Sequence, residues 1–118
     1  MQKRKPRSVN KFIGAWRIVR MSEWDKEYCD MKVRAFIQID AKGMGEFQFG
    51  LVSGSVCGDF IGRDGEDIFD FTWEGSDEAS GDGWMKIKHD GTAEGKLRIH
   101  AGDSSRFWAK KTNQRTKK

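Results

Sequence analysis

Between residues 12 and 111 apolar and polar side chains alternate with a period of two, the pattern of half-buried antiparallel strands. VRAFIQI (33–39) sets Val33, Ala35, Ile37 and Ile39 on one face against Arg34, Phe36 and Gln38 on the other. EFQFGLV (46–52) does the same with Phe47, Phe49 and Leu51, and IFDFTWE (68–74) with Phe69, Phe71 and Trp73 against Asp70 and Thr72. Residues 12–21, 55–62, 83–89, 95–101 and 105–111 read as further strands. Turn residues punctuate them at 41–45, 53–55, 63–67, 77–83, 89–95 and 101–104. Eight short strands joined by hairpins predict an all-β antiparallel meander that forms a closed or nearly closed up-and-down barrel, because closure removes exposed strand edges. Residues 24–31 break the alternation and are expected to form a loop or a helical turn across the barrel mouth.

Composition sharpens the β reading. The chain has 118 residues, enough for one domain with one modest core. Eight Phe and five Trp supply that core with a few large side chains, and fourteen Gly with a single Pro suit many tight turns.

Charge divides the chain. Residues 1–11 carry Lys3, Arg4, Lys5, Arg7 and Lys11, and residues 106–118 carry Arg106, Lys110, Lys111, Arg115, Lys117 and Lys118, with no acid in either segment. Residues 12–105 hold eleven basic and eighteen acidic side chains, a net of −7. A β domain over 12–111 is therefore expected between two basic tails, 1–11 and 112–118, whose composition predicts disorder. Cys29 and Cys57 form no CxxC pair, and no apolar run approaches the roughly 20 residues of a membrane span. The first residues lead into no apolar signal region, so a soluble cytoplasmic protein with reduced thiols is expected.

SEWDKEYCD (22–30), GEFQFG (45–50), FTWEGSDE (71–78), GDGWMKI (81–87) and IHAGDSSRFWAK (99–110) together resemble a family of short, uncharacterised bacterial β-rich proteins. The resemblance implies a compact β domain and carries no activity. A narrower similarity is to lipocalin-like calycin barrels, on Gly14-Ala15-Trp16. In that group a Gly-x-Trp on the first strand packs at the closed end of the barrel beside a basic residue of the last strand, a place that Arg106 or Lys110 would take here.

Candidate chemistry is sparse. WEGSDEASGDGW (73–84) gathers Glu74, Asp77, Glu78 and Asp82, but from Asp77 the third, fifth and twelfth positions are Ala79, Gly81 and Lys88, so the EF-hand calcium template fails. Glu74 beside Trp73 is the acid whose neighbour would desolvate it and raise its pKa. His100, Asp103, Ser104 and Ser105 lie close in sequence, without the G-x-S-x-G turn of a nucleophile. Both cysteines are expected as small buried side chains, and no cofactor or metal is expected.

These observations favour a non-catalytic binding module for a protein partner, with Trp24, Asp25, Tyr28, Glu74, Asp77, Glu78 and Trp84 as its surface, since Trp and Tyr dominate interface hot spots. The first alternative is nonspecific nucleic-acid association through Lys3, Arg4, Lys5, Arg7, Arg115, Lys117 and Lys118. The second is a small-ligand binder or hydrolase at the barrel mouth, which requires an enclosed apolar cavity.

Overall fold

A computed structural model describes residues 9–63, 65–75 and 78–112. Its elements run α1 (Val9–Phe12), β1 (Gly14–Met21), α2 (Lys26–Cys29), β2 (Phe36–Ile39), β3 (Met44–Phe49), β4 (Val52–Arg63), β5 (Glu66–Gly75), β6 (Ser80–Ile87), β7 (Ala93–Ile99) and β8 (Ser104–Thr112). Each strand pairs antiparallel with its neighbours in sequence, and β8 returns to β1 with Ala15 opposite Thr112 and Met21 opposite Phe107. The result is a closed up-and-down barrel of eight strands with no open edge, as alternation predicted.

Period-two alternation sends Trp16, Ile37, Phe47, Phe69, Phe71, Trp73, Met85 and Phe107 inward, where each is almost wholly buried. The short helices close the two ends. At one end Phe12 of α1 packs on Phe60 and Phe69, with ring centroids 5.8 and 6.2 Å away, and its carbonyl accepts the indole N–H of Trp16 at 3.0 Å. At the other, Trp24 beside α2 lies 5.0 Å from Phe49. The last residues of the basic N-terminal segment are thus helical rather than disordered, and residues 24–31 do contain a helical turn.

Glycine is where pattern reading fails. Residues 53–55 and the larger part of 77–83 are not turns but the starts of β4 and β6, and Gly95 lies inside β7. These strand glycines face the interior and leave room for rings. A Cβ at Gly81 would stand 2.8 Å from the indole nitrogen of Trp73, one at Gly83 2.7 Å from Phe71, and one at Gly95 2.6 Å from Phe107. Two apolar residues also depart from expectation. Gly50 and Leu51 make the real β3–β4 turn, with Gly50 at φ +58°, so Leu51 is 66% exposed instead of inward. Val33 precedes β2 and is likewise exposed.

Substitution of Gly83 by Ala tests the glycine slot. The new methyl would meet the Lys96 carbonyl at 2.4 Å as well as the Phe71 ring, and neither can retreat without disturbing the β6–β7 ladder. Urea unfolding of Gly83→Ala should show a loss of about 3 kcal/mol, at the upper end of ordinary overpacking. The surface change Thr72→Ala, which loses only a long hydroxyl bond to the Cys57 carbonyl and a β-branched side chain, should cost no more than about 1 kcal/mol.

Candidate functional site

Aromatic rings occupy the barrel interior. Phe47 meets Trp73 edge-on at 5.1 Å and stacks with Phe49 at 6.0 Å, while Phe69 stacks with Phe71 at 5.4 Å. Side chains available to a partner therefore stand on the outer wall or around the two ends.

The acids of residues 73–84 separate. Trp73 points inward and is 2% exposed, so its neighbour Glu74 must point outward, where it is exposed. An adjacent aromatic on a strand lies on the opposite face, and the desolvated-acid reading of Glu74 is overturned. Glu78 is exposed in the β5–β6 turn at φ +64°. Asp77 lies outside the described residues, as do Lys3, Arg4, Lys5, Arg7, Arg115, Lys117 and Lys118. Asp82 belongs to β6 and accepts two hydrogen bonds from the Arg98 guanidinium of β7, at 2.9 and 3.0 Å, which hold its pKa below the usual carboxylate value.

No triad forms from the 99–105 segment. Ser105 is buried, and its hydroxyl accepts the Glu23 N–H at 3.1 Å and donates to the Arg106 carbonyl at 2.9 Å, a tie between β8 and the chain after β1. His100 is exposed in the β7–β8 turn and shares no side-chain hydrogen bond with Asp103 or Ser105 among the described residues. Cys29 is buried, and burial raises its thiol pKa, whereas Cys57 is exposed because Val56 takes the inward place. Among the described residues no three His, Cys, Asp or Glu side chains stand together as metal ligands.

Trp24, Asp25 and Tyr28 come together at the α2 end. Asp25 caps the helix by accepting the Tyr28 N–H at 2.9 Å. Half-buried Tyr28 lies 6.4 Å from Trp24, and its hydroxyl accepts the Leu51 N–H at 3.1 Å. A Cβ at Gly50 would sit 2.2 Å from the Tyr28 ring, so the turn is shaped to receive it. Asp30 ties the segment down. It accepts the Ala35 N–H at 2.9 Å and pairs with Arg17 at 3.5 Å and Lys26 at 3.4 Å. Leu51 and Met31, 66% and 55% exposed, both join Tyr28 through their backbone N–H groups, the second to its carbonyl at 3.2 Å.

Trp84 is elsewhere. It stands on the outer face of β6, opposite Asp70 of β5 and Lys96 of β7. Its surroundings belong to a feature that a division into tails and body hides. Strands β2–β5 carry six acidic and one basic residue, and strands β6, β7, β8 and β1 carry eight basic and two acidic. The barrel has an acidic half and a basic half. On the basic half the Trp108 ring lies 4.5 Å from the Arg20 guanidinium and 5.3 Å from that of Arg106, which is ion-paired with Glu94. A charge count strand by strand, rather than along the whole body, is the sequence signal that finds this wall.

The closed end also corrects an expectation. Neither Arg106 nor Lys110 approaches Trp16, because both face outward on β8. Lys111 does, with its ammonium 4.8 Å from the Trp16 ring and donating to the Lys11 carbonyl at 2.7 Å, and burial lowers its pKa.

No family model matches the chain, and neither does any curated protein or solved structure.

The Asp30 cluster carries a pH signature. Partial burial works against its ionisation, but the Ala35 N–H, Lys26 and Arg17 outweigh it and lower its pKa. The carboxylate thus stabilises the fold at all pH values above the unfolded pKa of 3.8, and that contribution disappears as pH falls through the lower folded value. Asp30→Ala should cost about 1–2 kcal/mol in chemical unfolding at pH 7, with the difference from the parent shrinking towards the bottom of the titration.

Proposed function

We propose that this chain is a non-catalytic binding barrel of the cytoplasm whose α2 end docks a protein partner. The observation that carries the reading is the pair of exposed apolar residues, Leu51 and Met31, whose backbone N–H groups bond the hydroxyl and the carbonyl of half-buried Tyr28. Aromatic anchors surrounded by apolar contacts are what interface hot spots are made of. Glu23, Asp25 and Glu27 alternate around this cluster with exposed Lys26, Lys32 and Arg34, so the chemistry that fits is an apolar segment with a mixed-charge rim. Trp24 supports the site from beneath through Phe49, and Asp25 through the helix cap. The free thiols of Cys29 and Cys57 agree with a reducing compartment.

The critical variant is Leu51→Asp, because Leu51 is exposed in a turn and its loss leaves the core intact. Its thermal midpoint should match the parent within a degree or two, and a partner recovered from its source cells by photo-crosslinking at position 51 should bind it about 30-fold more weakly, the size of a hot-spot loss of ~2 kcal/mol. Equal affinity of parent and variant for the crosslinked protein, or no discrete crosslinked product, overturns the reading.

A further inference from the structure

The basic half of the barrel lies outside this docking reading and has a chemistry of its own. We propose that the outer wall of β6, β7, β8 and β1 binds single-stranded nucleic acid, with Trp84 as its base-stacking surface, Trp108 as the platform that holds Arg20, and Arg20 and Lys96 as phosphate contacts.

Register sets these residues out in two adjacent rows. Trp84, Lys96 and Arg106 are cross-strand neighbours on β6, β7 and β8. Glu94, Trp108 and Arg20 form the next row on β7, β8 and β1. With strands about 4.8 Å apart and residue pairs about 6.8 Å apart along a strand, the two tryptophans are separated by about 12 Å, a gap that a short run of nucleotides spans. Both rings point outward and are only half-buried, although an all-β core this rich in aromatics places most of its others inside.

The Arg20 guanidinium is held ready. Arg20 and Arg106 lie against the Trp108 ring, which fixes Arg20 as a planar donor for a single strand's backbone. Arg20, Lys96 and Lys110 form no ion pair among the described residues, so their charge is not neutralised within the barrel. The two acids of the wall are neutralised, Asp82 by Arg98 and Glu94 by Arg106 and Lys88. Trp84 also stands between two hollows, one of about 290 Å³ that Glu66 and Asp70 line with Ile61 and Ile68, and one of about 140 Å³ beside Asp70, Lys96 and the Asp82–Arg98 pair. The Lys96 side, where Arg98 neutralises Asp82, is the approach open to a planar base.

Thr112 pairs with Ala15, so the β8–β1 seam closes within the positive half. The opposite wall is acidic and repels phosphate, which gives the barrel one side for a polyanion. Single strands are favoured over duplex because only unpaired bases can offer a face to an indole, whereas a duplex keeps its base faces stacked inside.

Fluorescence anisotropy of the full chain with a labelled single strand of about 12 nucleotides, inside the usual range of ~4–16 per binding face, tests this. Binding should weaken about tenfold in Trp84→Ala and recover in Trp84→Phe, as stacking requires. Arg20→Ser with Lys96→Ala should reduce the slope of log affinity against log salt by about 1.4, roughly 0.7 for each cation removed from a phosphate of a single strand. Leu51→Asp should bind as the parent does, which separates this wall from the protein-docking end. Equal affinity for duplex of the same length, equal competition by inorganic polyphosphate with no effect of Trp84→Ala, or no binding at low salt each overturns the proposal. Should Trp84→Ala fold poorly, Lys96→Glu, at an outward position flanked by Trp84 and Arg106, decides the question: unchanged affinity overturns it, and a loss larger than that of Lys96→Ala supports it.

Discussion

The seating of aromatic rings on glycine is the contact on which this barrel depends. Eight short strands can close only if what lies inside matches the space they enclose, and a small barrel has little to spare. Here the interior is built from Phe and Trp, whose volume exceeds what every inward position can accept. The chain resolves the mismatch by alternating sizes across the ladder, Trp73 over Gly54 and Gly81, Phe69 over Gly58, Phe71 over Gly83, Phe107 over Gly95. Each ring takes the volume that its neighbour gives up. The end plugs follow from the same arrangement, since Phe12 rests on Phe69 and Trp24 on Phe49, rings already fixed by the barrel.

Alternation made the fold legible. Strict period two from Phe47 to Phe49 and from Phe69 to Trp73 admits one reading, and hairpin-length gaps leave few topologies for eight such segments. Glycine does not yield to the same approach, because a glycine in a turn and a glycine under a ring are identical in one dimension. Composition places Gly54, Gly81, Gly83 and Gly95 in or beside turns, yet the rings that need them, Trp73, Phe71 and Phe107, all lie on other strands. Continuing the rhythm of Phe47 and Phe49 puts Leu51 inward, one step past the point where the chain turns.

The candidate sites were less legible, for reasons that are geometric. Trp24, Asp25 and Tyr28 stay together because they share the α2 turn and its cap, while Glu74 parts from Trp73 because neighbours along a strand face opposite ways, and Trp84 pairs with Asp70, four residues along β5 from Glu74. The net charge of −7 over residues 12–105 leaves out Arg106, Lys110 and Lys111 of β8 and mixes the loops with two walls of opposite sign. Strand order divides them: the acidic strands β2–β5 are consecutive in the chain, as are the basic β6–β8, and β1 joins the basic wall only when β8 meets it.

That last seam also orders events during synthesis. β1 emerges early and gains β2 as its partner, yet its other edge has nothing to pair with until β8, about ninety residues later in the chain, has been made. Until then the nascent sheet has an open border, the kind of surface on which chains aggregate. Arg17 and Arg20 lie on that border, and the basic segment before β1 leads directly into it, so like charge separates two unfinished copies at the edge they would otherwise share. The same cations that mark one wall of the finished barrel thus protect it while it is incomplete.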